Sequence, residues 1–139
     1  MLLLLTLVTV WLVGCGGAEP QARAVTIEAE GFDYRPTRIE ATVGEPLRLT
    51  LDNVGTLLHD WSIDEIPLDG EARVVEEGHS ADHDMSNMEA NDPTVHVVAA
   101  AGEKETVVFT PSQAGTYAFY CTVEGHRAGG MVGEFVVTE

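Results

Sequence analysis

From Val25 onward the chain alternates apolar and polar residues with a period of two, and nowhere does it sustain the roughly 3.6-residue period of a helix. Val25, Ile27 and Ala29 alternate with Thr26, Glu28 and Glu30; Leu47, Leu49 and Leu51 alternate with Arg48, Thr50 and Asp52. Ile39, Ala41 and Val43 repeat the pattern, as do the runs Val95–Ala99, Glu105–Thr110, Thr116–Cys121 and Gly133–Val137. Turn-forming clusters separate them: Val43-Gly44-Glu45-Pro46, Asn53-Val54-Gly55, Ala101-Gly102-Glu103 and Pro111-Ser112-Gln113-Ala114-Gly115. About six to eight short strands with this punctuation predict an all-β fold, a Greek-key β-sandwich. A chain of 139 residues can bury one such core without disulfide staples.

The first 24 residues stand outside that pattern. Leu2 to Val13 is apolar except for Thr6 and Thr9. A spanning helix needs roughly 20 apolar residues, so this run is too short to cross a bilayer but has the length of a signal-peptide core. No Lys or Arg precedes it, which departs from the usual signal. Leu12-Val13-Gly14-Cys15 resembles the bacterial lipobox, whose cysteine is lipidated and becomes the new N-terminus. We therefore expect a signal peptide at 1–14, a flexible tether at 15–24 anchored through Cys15, and a domain at 25–139 lying outside the cytoplasm.

Seven basic residues stand against 23 acidic ones, a formal charge of −16. This argues against nucleic acid or anionic lipid headgroups as partners and suits a basic protein partner. Acidity sufficient for solubility alone is the plainer alternative. One acidic segment, from Pro67 to Pro93, interrupts the strand rhythm and reads as a long surface loop inserted in the domain. It carries His79, His83, Met85 and Met88, a candidate weak copper-capturing group set against the plainer reading of a solvated loop.

The chemistry concentrates near the C-terminus. Cys121, His126 and Met131 fall in a Cys-x4-His-x4-Met array on a glycine-containing stretch after an aromatic run. Alone, Cys121 reads as a buried inert thiol and Met131 as core packing. Together, a thiolate, an imidazole and a thioether suit copper better than zinc, and one more imidazole would complete a His₂Cys site with a weak axial Met, the arrangement of electron-transfer copper. The candidates for that imidazole are His59, His79, His83 and His96. His59, which follows the turn after Leu49–Gly55 and opens a short alternating run, is the expected ligand. His96, between Thr94 and Val97, is expected to face solvent.

With these residues in view, the stretch from Val25 to Glu139 resembles the cupredoxin family of small blue-copper proteins, of plastocyanin, auracyanin and azurin type. The matching segments are Asn53-Val54-Gly55-Thr56-Leu57-Leu58-His59-Asp60-Trp61, Gly115–Cys121 and the loop to Met131; the ligand spacing looks like that of auracyanin. The resemblance implies one type 1 copper held by His59, Cys121, His126 and Met131. It also implies a polar residue after the first His that bonds near the residue after the Cys, here Asp60 and Thr122. Asn is usual at the first of these, so Asp60 is a departure. Leu57 stands where azurin has the glycine of a fifth, carbonyl ligand, which favours four ligands. Function by resemblance is one-electron transfer by a monomer between redox proteins of cytochrome or oxidase type. Its bare edge of His126, ringed by Leu57, Leu58, Gly129 and Gly130, would be the exit. An envelope copper-binding or copper-delivery protein is the alternative. Enzymes of nitrite-reductase or multicopper-oxidase kind need further His-rich copper sites, and a dinuclear site needs a second cysteine in the loop; Cys121 stands there alone.

Overall fold

The protein is described by a computed structural model covering residues 21–75 and 92–139. Cys15, the apolar N-terminal run, and His79, His83, Met85 and Met88 lie outside the described residues. Ten strands and no helix occur among those described: β1 (Arg23–Glu30), β2 (Asp33–Arg35), β3 (Arg38–Thr42), β4 (Leu47–Asn53), β5 (His59–Ile63), β6 (Arg73–Val75), β7 (Val95–Ala99), β8 (Lys104–Phe109), β9 (Gly115–Tyr120) and β10 (Val132–Thr138). They form two five-stranded sheets, in the orders β2-β1-β4-β8-β6 and β3-β10-β9-β5-β7. The β-sandwich expected from the alternation is the fold observed. The strand number exceeds the expected range because β2 and β6, of three residues each, are too short to show a period. β6 lies within the stretch expected as loop, where its pairing with β8 supplies the order that its own sequence does not.

The alternation explains the burial. In β4, Leu47, Leu49 and Leu51 are fully buried while Arg48, Thr50 and Asp52 are half-buried, as expected of a central strand with one face in the core. Thr50 faces Thr106 on β8 through a 2.9 Å hydroxyl pair. β5 differs, being buried along its whole length. His59, Trp61 and Ile63 share one face and Asp60 and Ser62 the other. Trp61 packs tilted against Phe109 and Phe119 and edge-on to Phe135, building the core beneath the strand. Above it, Tyr120 of β9 pairs with Ser62, and the Arg127 guanidinium lies 3.8 Å over the Tyr120 ring.

Where β9 and β10 pair, Gly133 stands opposite Phe119. A Cβ there would overlap the Phe119 ring edge and come within 2.5 Å of the Thr37 backbone oxygen. Backbone cannot yield as a flexible side chain can. Gly133→Ala should therefore lower stability by about 1–3 kcal/mol, read as a shift in urea midpoint at unchanged slope; an unshifted midpoint would contradict the packing at this edge.

Candidate metal centre

Two separate stretches of chain deliver the candidate ligands to one end of the sandwich. The first leaves β4 at Asn53, whose fully buried side chain pins the turn. Its Nδ2 donates to the Leu57 carbonyl at 2.7 Å and the Ala99 carbonyl at 2.8 Å, and its Oδ1 accepts from the Gly55 amide at 3.1 Å. Chain held this way enters β5 with His59 facing inward. The second stretch runs from the end of β9 through Cys121 to Met131 and closes on itself. The Cys121 amide donates to the Met131 carbonyl (3.2 Å), the Met131 amide to the His126 carbonyl (3.0 Å) and the His126 amide to the Val123 carbonyl (3.0 Å). Gly125 and Gly130, at φ of +83° and +108°, take the left-handed turns that a side chain would resist.

His59, Cys121 and His126 come together. Their ligand atoms all lie within 4.8 Å of one another, and Cys121 Sγ is 3.4 Å from His126 Nδ1. The His59 and His126 ring centroids are 5.0 Å apart. His59, Cys121 and Met131 are fully buried, and His126 is 6% exposed. Both ring nitrogens of His59 are buried with no hydrogen-bond partner. An imidazole so placed is costly unless something else satisfies it. Metal–nitrogen and metal–sulfur bonds of about 2.0–2.3 Å let one ion reach a cluster of this size. The sulfur-rich donor set, with Met131 on the loop, fits a single type 1 copper.

Electrostatics prepare the same donors. Burial, reinforced by the neighbouring His126, pushes His59 down to about 4, and burial lowers His126 as well. Burial and the charge of Asp60 push the Cys121 thiol up to about 12. At neutral pH the metal-free site thus holds two neutral imidazoles, ready to bind, and a protonated thiol.

Asp60 and Thr122 are hydrogen-bonded to each other. Asp60 Oδ1 accepts from the Thr122 amide at 2.7 Å and Oδ2 from the Thr122 hydroxyl at 2.8 Å. Oδ2 also accepts from Ser62 Oγ at 2.7 Å and lies 2.8 Å from His96 Nε2. Burial alone would raise the Asp60 carboxyl; hydrogen bonds from His96, Cys121, Ser62 and Thr122 outweigh it and hold it below its ordinary value. His96 therefore does not simply face solvent. It sits opposite Ser62 on β7 with a side chain 28% exposed, turned to the carboxylate.

Three further residues escape sequence reasoning. Phe32, 49% exposed, sets its ring edge-on to His126 with centroids 5.2 Å apart, and a Cβ at Gly129 would stand 3.0 Å from it. Tyr34 donates its hydroxyl to the Asp60 carbonyl from the opposite sheet. Asn53 reads in sequence only as a turn former. Of the expected apolar rim, Leu57 is 48% exposed and Gly129 and Gly130 are exposed, while Leu58 is half-buried.

Comparison with known proteins agrees with this geometry. Residues 21–138 match the profile of the copper-binding proteins of the plastocyanin/azurin family. The chain belongs to that family. It is 25% identical to the copper-resistant cuproprotein CopI of Pseudomonas aeruginosa, covering 86% of this chain and 78% of that protein. It is 29% identical to CopI of Rubrivivax gelatinosus, covering 86% and 67%. Among solved structures, reduced auracyanin from Roseiflexus castenholzii superposes with a TM-score of 0.61 at 25% identity, covering 86% of this chain and all of that one.

The protonation states make a measurable statement. Metal binding near pH 7 must expel the Cys121 proton but none from the imidazoles, so affinity should rise about tenfold per pH unit across neutrality, with about one proton released per ion. Calorimetry of the metal-free chain in buffers of differing ionisation enthalpy, with zinc(II) as a redox-silent stand-in, reads this number. A value near zero would mean that Cys121 is already a thiolate.

Proposed function

We propose that this protein is an extracytoplasmic one-electron carrier, its copper held by His59, Cys121, His126 and Met131, and that lipid at Cys15 tethers it to a membrane. The observation that carries the reading is the buried cluster of His59, Cys121 and His126, assembled from two segments that are each hydrogen-bonded in place. Bound copper supplies the Cu(I)/Cu(II) couple. The chain keeps the donors nearly still between the two states, which is what a carrier needs and what a rigid sandwich end provides.

Each residue has a part in that arrangement. Cys121 gives the thiolate and has its backbone amide tied to Met131, so the axial thioether and the thiolate keep a fixed spacing. Asp60 holds the Thr122 amide immediately behind Cys121; hydrogen bonding and charge around a ligating sulfur tune such a site. His126, whose edge reaches the surface beside Phe32, gives the shortest way out for an electron. The excess of acidic residues suits a basic redox partner. The lipid anchor is supported by the lipobox-like segment alone.

A second reading has its own support. Both curated relatives are named as copper-resistance cuproproteins, which favours copper binding or delivery in the envelope on the same fold. Voltammetry of the copper-loaded chain separates the two. A reversible couple with fast self-exchange supports the carrier; release of copper to a metal-free acceptor protein without a usable couple supports delivery.

Two substitutions test the ligand assignment. Cys121→Ser should abolish the intense thiolate-to-copper absorption while leaving the sandwich folded by circular dichroism; a surviving band would remove Cys121 from the site. Met131→Leu should raise the reduction potential, because loss of the axial donor destabilises Cu(II) more than Cu(I), and an unchanged potential would remove Met131.

A further inference from the structure

The outer face of β5 carries a polar assembly centred on Asp60, and it extends beyond the Thr122 contact. Asp60 and Ser62 are fully buried there, Thr122 nearly so. The Asp60 carboxylate takes the Thr122 amide on one oxygen and the Thr122 hydroxyl, Ser62 hydroxyl and His96 Nε2 on or beside the other, all at 2.7–2.8 Å. A carboxylate can accept from four such donors, whereas a carboxamide would turn an N–H₂ group toward some of them. The company of donors thus accounts for an acid at position 60. Of these partners, the Thr122 and Ser62 groups are buried, and His96 is the one with an edge at the surface. Breaking a buried charged hydrogen bond from one side costs more than the bond is worth, because the remaining charge is left short of partners.

We propose that His96 is a positioning residue of the copper site: it holds the Asp60 carboxylate in place, so that Asp60 fixes the Thr122 amide behind Cys121 and sets the negative field felt at the metal. His96 touches no ligand itself. It acts across β5 and β7, through the register that sets it opposite Ser62. Asp60, a charge retained close to the thiolate, stabilises Cu(II) over Cu(I) and so lowers the potential, and the His96 contact keeps the carboxylate there.

The test is a double-substitution cycle on the copper-loaded full chain, read by reduction potential. Asp60→Asn should shift the Cu(II)/Cu(I) equilibrium about tenfold toward Cu(I), about 59 mV upward for one electron. His96→Leu, with Asp60 in place, should shift it the same way by about threefold, as the carboxylate loses its place. His96→Gln, whose amide nitrogen can stand where Nε2 stands, should restore the parent value to within about twofold. In the Asp60→Asn background His96→Leu should have no effect. A potential that does not move, moves downward, or moves equally in both backgrounds overturns the proposal. In the metal-free chain, hydrogen exchange of the Thr122 amide should quicken in His96→Leu and keep its parent rate in His96→Gln; equal rates in all three overturn it independently of copper loading. The proposal rests on the redox-copper reading, and the outcomes separate them. A chain with no reversible couple defeats both, whereas a reversible couple indifferent to His96 defeats this one alone.

Discussion

Two hydrogen bonds from Thr122 to the carboxylate of Asp60 join the stretches of chain that carry the ligands, and the site's geometry depends on them. Asp60 follows His59 directly and Thr122 follows Cys121 directly. Fixing one pair fixes the other, because adjacent residues in extended chain hold their side chains on opposite faces. The polar clamp sits on the outer face and the metal donors on the inner one. Around it the burial of β5 on both faces excludes water, which makes these bonds strong and would make any unmet polar group there expensive.

The donors show the same economy. His59 has two buried nitrogens without partners, and Cys121 is a buried thiol whose ionisation is opposed by burial and by Asp60. A fold that sought only stability would fill these places with apolar side chains. What it holds instead is a set of groups whose unfavourable state in the metal-free chain is relieved by one soft ion. The family match and the spacing of the cluster converge on copper for that reason, from independent directions.

The surface of the site is asymmetric. Phe32 and Leu57 lie half-exposed and Gly129 and Gly130 stand exposed near His126, while Arg127 stacks on Tyr120, whose hydroxyl meets Asp64. The exposed apolar residues and the charged contacts thus involve different residues around the loop.

Much was legible in the chain itself. The period-two alternation determined a sandwich, because a strand with one buried face has no other economical place. The array of Cys121, His126 and Met131 determined a soft-metal loop, because those three donors lie within a few residues and a glycine-containing loop can gather them without help from the rest of the fold. Tertiary structure decided the remainder. His59 is the expected ligand in sequence, but what holds it against the loop is the β4–β5 turn pinned by the Asn53 side chain, a role its place in a turn does not reveal. That His96 serves Asp60 follows from the register between β5 and β7, which pairs residues more than 30 positions apart. Phe32 reaches His126 from a turn whose sequence carries no metal signal. Periodicity specifies which face a side chain takes within its own strand, but the neighbour it finds there depends on how distant strands are ordered and aligned, and only the folded sandwich contains that information.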